Sequence, residues 1–142
     1  MDKPKKYRLT KRQSELAVRV TGDSQADLFA HSALALFDVM VADVDKIESK
    51  ERLPLEVEGS DRDDLMVNWV RELLYLYQGS GYLLKEFVIH EVKDTVVKAD
   101  VAGEKIDPDR HEIQQEIAAV AFHKSRMEKT GDQWTAHLIF EL

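Results

Sequence analysis

The hydrophobic period of this chain switches from two to 3.6 and back, twice, and each switch into helix carries a capping signal. Leu16, Val18 and Val20 alternate with Ala17, Arg19 and Thr21, the pattern of a half-buried strand. Gly22-Asp23 then turns the chain. Ser24 and Asp27 stand at capping-box spacing, with an acid in place of the usual Glu. The spacing predicts a helix from there to about Met40. Leu28, Phe29, Ala33, Leu36, Phe37 and Met40 cover most of it, so it is expected to be deeply buried. Ser24, Asp27, His31 and Asp38 fall on one narrow polar stripe.

The cycle repeats with a strand over Arg52 to Glu58, in which Leu53, Leu55 and Val57 share a face. Ser60 and Asp63 then open a helix over about Asp61 to Gln78, with Met66, Trp69, Val70, Leu73 and Tyr77 as its stripe and Gly79 and Gly81 at its end. Beyond Tyr82 the reading is strands only: Tyr82 to Val92, Thr95 to Ala102, Gln114 to Met127 and Gln133 to Leu142. Thr130-Gly131-Asp132 makes a hairpin turn between the last two. Pro108 sits in an acidic loop, Glu104 to Glu112, expected to be exposed. Two helices packed on a largely antiparallel β-sheet make an α+β fold. No repeat, low-complexity segment or linker divides the chain, so residues 1–142 read as one domain.

Composition narrows the function classes. At 142 residues with 44% hydrophobic content, the chain can bury a core without metal or disulfide staples. It has no cysteine, which excludes disulfides, thiolate chemistry and cysteine-ligated zinc. The formal net charge of -7 argues against strong nucleic-acid binding through phosphate contacts and suits a basic protein partner or a cation. Met1 to Lys6 is charged with no apolar stretch behind it, so no signal peptide is expected. Apolar runs such as Ala33 to Phe37 are too short to span a membrane. These features predict a protein of a reducing cytoplasm.

The catalytic inventory is thin. No glycine-rich phosphate loop, Gly-x-Ser-x-Gly elbow or His-Glu-x-x-His helix is present. His31, His90, His111, His123 and His137 do not share a helix at ligand spacing, and each reads as a surface or packed histidine. With no nucleophile–base pair, the chain is not expected to be an enzyme. Asp107, Asp109 and Glu112 lack EF-hand spacing and read as a solvated acidic loop. Asn68 and Glu72, one turn apart, read as a helix-surface pair.

The end of the sequence is more pointed. Trp134, Ala136, Leu138, Phe140 and Leu142 alternate with Thr135, His137, Ile139 and Glu141, so the last residue is expected inside a strand with Glu141 beside the chain-end carboxylate. Two adjacent carboxylates repel unless a cation or a basic group answers them. A hard divalent ion with oxygen ligands would do so, and so would a nearby Lys or Arg.

Five segments together resemble the archease family. They are Ser32 to Met40, Leu65 to Leu74, Gly103 to Glu112, Glu116 to His123 and the ending Ile139-Phe140-Glu141-Leu142. Their order and spacing match over about Tyr7 to Leu142. The resemblance implies an accessory protein that activates an RtcB-type RNA ligase, promoting guanylylation and turnover of the ligase in tRNA splicing and RNA repair without ligating RNA itself. It also implies a calcium (Ca2+) site, whose ligands fall here on Glu15, Glu141 and Leu142. The alternative is a chaperone-like interaction module on the same fold, with a different client and no metal.

This chain departs from the family pattern at four polar positions. Arg12-Gln13-Ser14-Glu15 stands where the family has His-Thr-Ala-Asp, so both acidic ligands are glutamates. Calcium tolerates the longer side chain because its coordination is flexible. Arg12 replaces the histidine and is itself a candidate to neutralise Glu15 and Glu141. Ala118 and Ala121 replace a lysine and a threonine of the family's penultimate strand.

Overall fold

A computed structural model describes residues 7–142; the reading made of Met1 to Lys6 lies outside them. The strands are β1 (Tyr7–Arg12), β2 (Glu15–Gly22), β3 (Glu51–Glu58), β4 (Tyr82–Lys93), β5 (Val96–Lys105), β6 (Ala119–Val120), β7 (Arg126–Thr130) and β8 (Gln133–Glu141). The helices are α1 (Gln25–Met40) and α2 (Arg62–Ser80), and a 3-10 turn covers Val44–Lys46.

Both helices form as the capping signals predict. Ser24 Oγ accepts the N–H of Asp27 at 3.0 Å. At α2 the cap is one residue later than expected: Asp61 accepts the N–H of Asp64, and Asp64 reaches back to accept the N–H of Ser60 at 2.7 Å. Both donors are thus satisfied reciprocally. Gly81, at φ 73°, ends α2 in the left-handed conformation, and its N–H returns to Tyr77 O. Gly79 lies inside the helix.

The single sheet expected from the sequence is two. One holds β1, β2 and β8 in that order, with β6 and β7 both paired along the far edge of β8; the other is β3-β5-β4. Every pairing is antiparallel. The helices form the seam: α1 packs on β2 and β4, and α2 packs on β7 and β6 of one sheet and on β3, β4 and β5 of the other. Trp69 on α2 is fully buried, meets Phe29 edge-on with ring centroids 6.1 Å apart, and donates its indole N–H to Phe29 O at 2.9 Å. Phe37 on α1 stacks on Phe87 of β4. Each sheet thus has one face against a shared apolar layer, which is why a period of two runs through both.

Two strand expectations change. Tyr7–Arg12, not read as a strand, forms a hairpin with β2 and lies mostly exposed at the sheet edge. The expected long strand Gln114 to Met127 is broken. Gln114 N–H donates to Met40 O, and Gln78 Nε2 donates to Ile117 O and Ala118 O, so helix atoms take these groups. Before the chain turns at 122–124 and rejoins as β7, only Ala119–Val120 is strand, with the N–H groups of Ala118 and Ala121 also bonded to β8. Ser125 Oγ accepts the N–H of Ile139 at 3.1 Å and bridges the gap.

The polar stripe of α1 is used for tying elements together. His31 Nδ1 meets Thr21 O at 2.7 Å, and Asp38 accepts a short hydrogen bond from the Tyr7 hydroxyl, fixing β1 to the helix. Among the described residues, no helix is long and apolar enough to cross a membrane.

Candidate functional site

The β1–β2 hairpin and the end of β8 bring the sequence-predicted ligands together. Glu15 opens β2 and lies directly opposite Glu141 across the β2–β8 ladder. Opposed residues on one face have Cβ atoms about 5 Å apart, where like charges are destabilising. Leu142 follows, and its N–H donates to Ser14 O at 2.8 Å. The last residue is therefore held against the hairpin turn beside Glu15. That turn carries Gln13 at φ 50°, a left-handed conformation uncommon for a residue other than glycine.

The basic group that answers these acids is neither a histidine nor Arg12. Arg12 faces Glu15 in register, but the cation in contact is Lys124, whose Nζ lies 2.7 Å from Glu15 Oε1. The Glu15 hydrogen bond and charge, with a smaller contribution from Glu141, raise the Lys124 pKa. Lys124 comes from the turn that interrupts the expected long strand, so reading that segment as continuous hid it. The same turn presents Phe122, 43% exposed, to the guanidinium of Arg71 on α2, with Arg71 Cζ 5.3 Å from the ring. Arg71 also covers the exposed ring of Tyr75.

Ala118 and Ala121, two of the four positions at which the family pattern is lost, flank the same place. Ala118 N–H donates to Glu141 O at 2.7 Å, and Ala121 N–H donates to Ile139 O at 2.8 Å. They keep main-chain pairing with β8 and offer no polar side-chain atom.

The donor chemistry fits a hard cation: two carboxylates forced together by the ladder, and main-chain oxygen at Leu142. Among the described residues, no group of three or more His, Asp or Glu side chains is gathered for a metal. Any ion here would rely on the main chain and compete with Lys124 for Glu15.

A second charged cluster joins the end of β5 to the 106–112 loop, whose Pro108, Asp109 and Glu112 are exposed as expected but which is anchored from inside. Glu104 and His111 are buried. Glu104 accepts the N–H of Glu48 at 2.6 Å and receives Arg110 through both guanidinium nitrogens, one contact at 3.2 Å and the other shorter. Arg110 holds the Glu104 carboxyl down to about 2, helped by the Glu48 N–H and Lys50. Asp107 N–H donates to His111 Nδ1 at 2.8 Å, so the neutral ring carries its proton on Nε2, 3.2 Å from Lys46 O. Asp107 is itself engaged by the Asp109 N–H and by Arg110. These contacts form a structural clamp. Asn68 donates to Glu58 O and to Asp64, not to Glu72.

Comparison with known proteins agrees with this architecture. The Archease protein family (MTH1598/TM1083) matches residues 7–142. Protein archease of Pyrococcus abyssi is 37% identical over 130 residues, covering 89% of this chain and 91% of the relative. Protein archease of Methanopyrus kandleri is 33% identical over 132 residues, covering 91% and 94%. The solution structure of Methanobacterium thermoautotrophicum protein 1598 superposes with a TM-score of 0.81 at 26% identity, covering 98% of this chain and all of that one. The crystal structure described as an archease, possible chaperone, of Thermotoga maritima shares the fold, with a TM-score of 0.60 at 16% identity and coverage of 100% and 98%. With the match extending over all the described residues, the chain belongs to the archease family.

Proposed function

We propose that this archease is an accessory protein that activates an RtcB-type RNA ligase, promoting guanylylation and turnover of the ligase in tRNA splicing and RNA repair. The observation that carries the reading is the convergence of Glu15, Glu141 and Leu142 at one end of the β2–β8 ladder. Oxygen atoms of these three residues would hold Ca2+, which would supply a fixed positive charge at that end of the sheet. The chain's own residues do the positioning. The ladder opposes the two carboxylates, the Leu142 N–H bond to Ser14 O holds the last residue beside them, and Lys124 places an ammonium group next to Glu15. Lys124 follows Ala118, the position of the family's missing lysine, by six residues.

The decisive assay supplies purified cognate ligase with GTP and divalent metal and follows ligase guanylylation with and without this protein. Acceleration supports the reading, and an unchanged rate ends it. The second reading, a chaperone-like module with another client and no metal, is favoured by the Lys124–Glu15 contact, which already neutralises one carboxylate. It predicts that the melting temperature is insensitive to calcium.

A further inference from the structure

We infer that the outer face of the first sheet carries a binding site for the phosphate backbone of a nucleic-acid strand, built on Arg8, Arg19 and Arg126. Arg8 of β1 lies opposite Arg19 of β2, Arg19 lies opposite His137 of β8, and His137 lies opposite Arg126 of β7. The four residues form one row across four strands. Strands lie about 4.8 Å apart, so the row is about 14 Å long. Their chain neighbours Val18, Val20, Leu138, Ala136 and Met127 are buried. Side chains alternate faces along a strand, so the row faces solvent, and all three arginines are exposed.

Like charges directly opposite one another are destabilising in a sheet, yet among the described residues no acid forms an ion pair with these three. Glu128 reaches His137 at 3.3 Å, and no acid pairs with Arg8, Arg19 or Arg126. A chain of net charge -7 has acids to spare, so their absence from this row is informative. The row sits on paired strands, whose ladder uses the main-chain N–H groups, so it offers no N–H cradle for a single phosphate. A protein interface would want an aromatic or apolar centre; the row beside this one offers Thr10, Ala17 and half-buried Ile139. A line of guanidinium groups suits a linear polyanion, and arginine suits phosphate in particular. The row lies four residues along the strands, about 13 Å, from the level of Glu15 and Glu141.

The net negative charge keeps such binding weak. The full-length protein, titrated into a fluorescent single-stranded RNA of about 12 nucleotides, is expected to bind with a Kd of ~10–100 µM near 50 mM salt. Three phosphate contacts predict roughly twentyfold weaker binding near 200 mM salt, from a slope of about -0.7 per contact. Arg8→Gln/Arg19→Gln/Arg126→Gln should lose at least about tenfold of the affinity with a melting temperature no lower than the parent's, and Arg19→Gln alone should lose part of it. No binding by the parent at low salt, or equal binding by the triple variant, overturns the proposal. So does competition by polyglutamate of matched charge as effective as that by unlabelled RNA. No ligase enters the measurement, so its failure leaves the ligase reading untouched.

Discussion

Replacing Glu104 with Gln keeps the shape of the buried clamp and removes its charge. The carboxylate is 5% exposed and meets both nitrogens of the Arg110 fork, with Lys50 Nζ 3.5 Å away and the Glu48 N–H at 2.6 Å. Removing one partner of a buried ion pair costs about 3–5 kcal/mol because the other charge is stranded. Arg110 is 34% exposed and can partly rehydrate, and the glutamine oxygen can still accept the Glu48 N–H. Glu104→Gln is therefore expected to lose about 2–3 kcal/mol. For 142 residues, an unfolding entropy of about 2.1 cal/mol/K per residue gives about 0.30 kcal/mol/K, so the melting temperature should fall by roughly 7–10 °C in differential scanning calorimetry at neutral pH. The pH dependence has a definite sign. Contact with Arg110 puts the folded pKa of Glu104 at about 2 against an ordinary 4.5, so its contribution is complete above the ordinary value and fades as pH falls toward 2. The gap between parent and variant should close across that window. A loss below about 1 kcal/mol at pH 7, or a gap that persists unchanged to pH 2.5 (about two units below the ordinary value), would refute the clamp.

Calcium at a hundredfold excess over its Kd should stabilise the parent by about 2.7 kcal/mol, or roughly 9 °C by the same entropy, and Glu15→Gln or Glu141→Gln should erase that shift. Ser32 is fully buried on α1, and its Oγ has no hydrogen-bond partner. Ser32→Ala should therefore raise stability by about 1 kcal/mol in urea titration, through relief of desolvation and better helix propensity. A Cβ added at Gly103 would sit 1.9 Å from Leu83 O and 2.8 Å from Leu84 Cα. These are backbone atoms of the paired strand, so Gly103→Ala should cost about 3 kcal/mol or more, or prevent soluble expression.

Much of the architecture is legible in the residues because it is set by near neighbours. The caps at Ser24 and beside Ser60, the apolar stripe of α2 and the alternation of β8 each depend on spacings of two to four residues. The α+β class follows from them. The broken strand was less legible because nothing in the pattern of Ile117, Val120 and Met127 announces that Gln78 on another element will capture the main-chain oxygens of Ile117 and Ala118. The resemblance of the chain located Glu15, Glu141 and Leu142. It did not point to Lys124, which comes from the turn that breaks the expected strand.

The amino-acid order by itself determined both helices and most of the strands, which side of each is apolar, and the absence of cysteine chemistry. Only the folded chain decided that the strands divide into two sheets, that Glu104 and His111 are interior, and that Lys124 answers Glu15. It also decided that Arg8, Arg19 and Arg126 share one row. Local order is governed by steric and hydrogen-bonding preferences over a few residues, whereas these meetings join positions up to more than a hundred residues apart. They depend on strand register, which is chosen by the packing of the whole core.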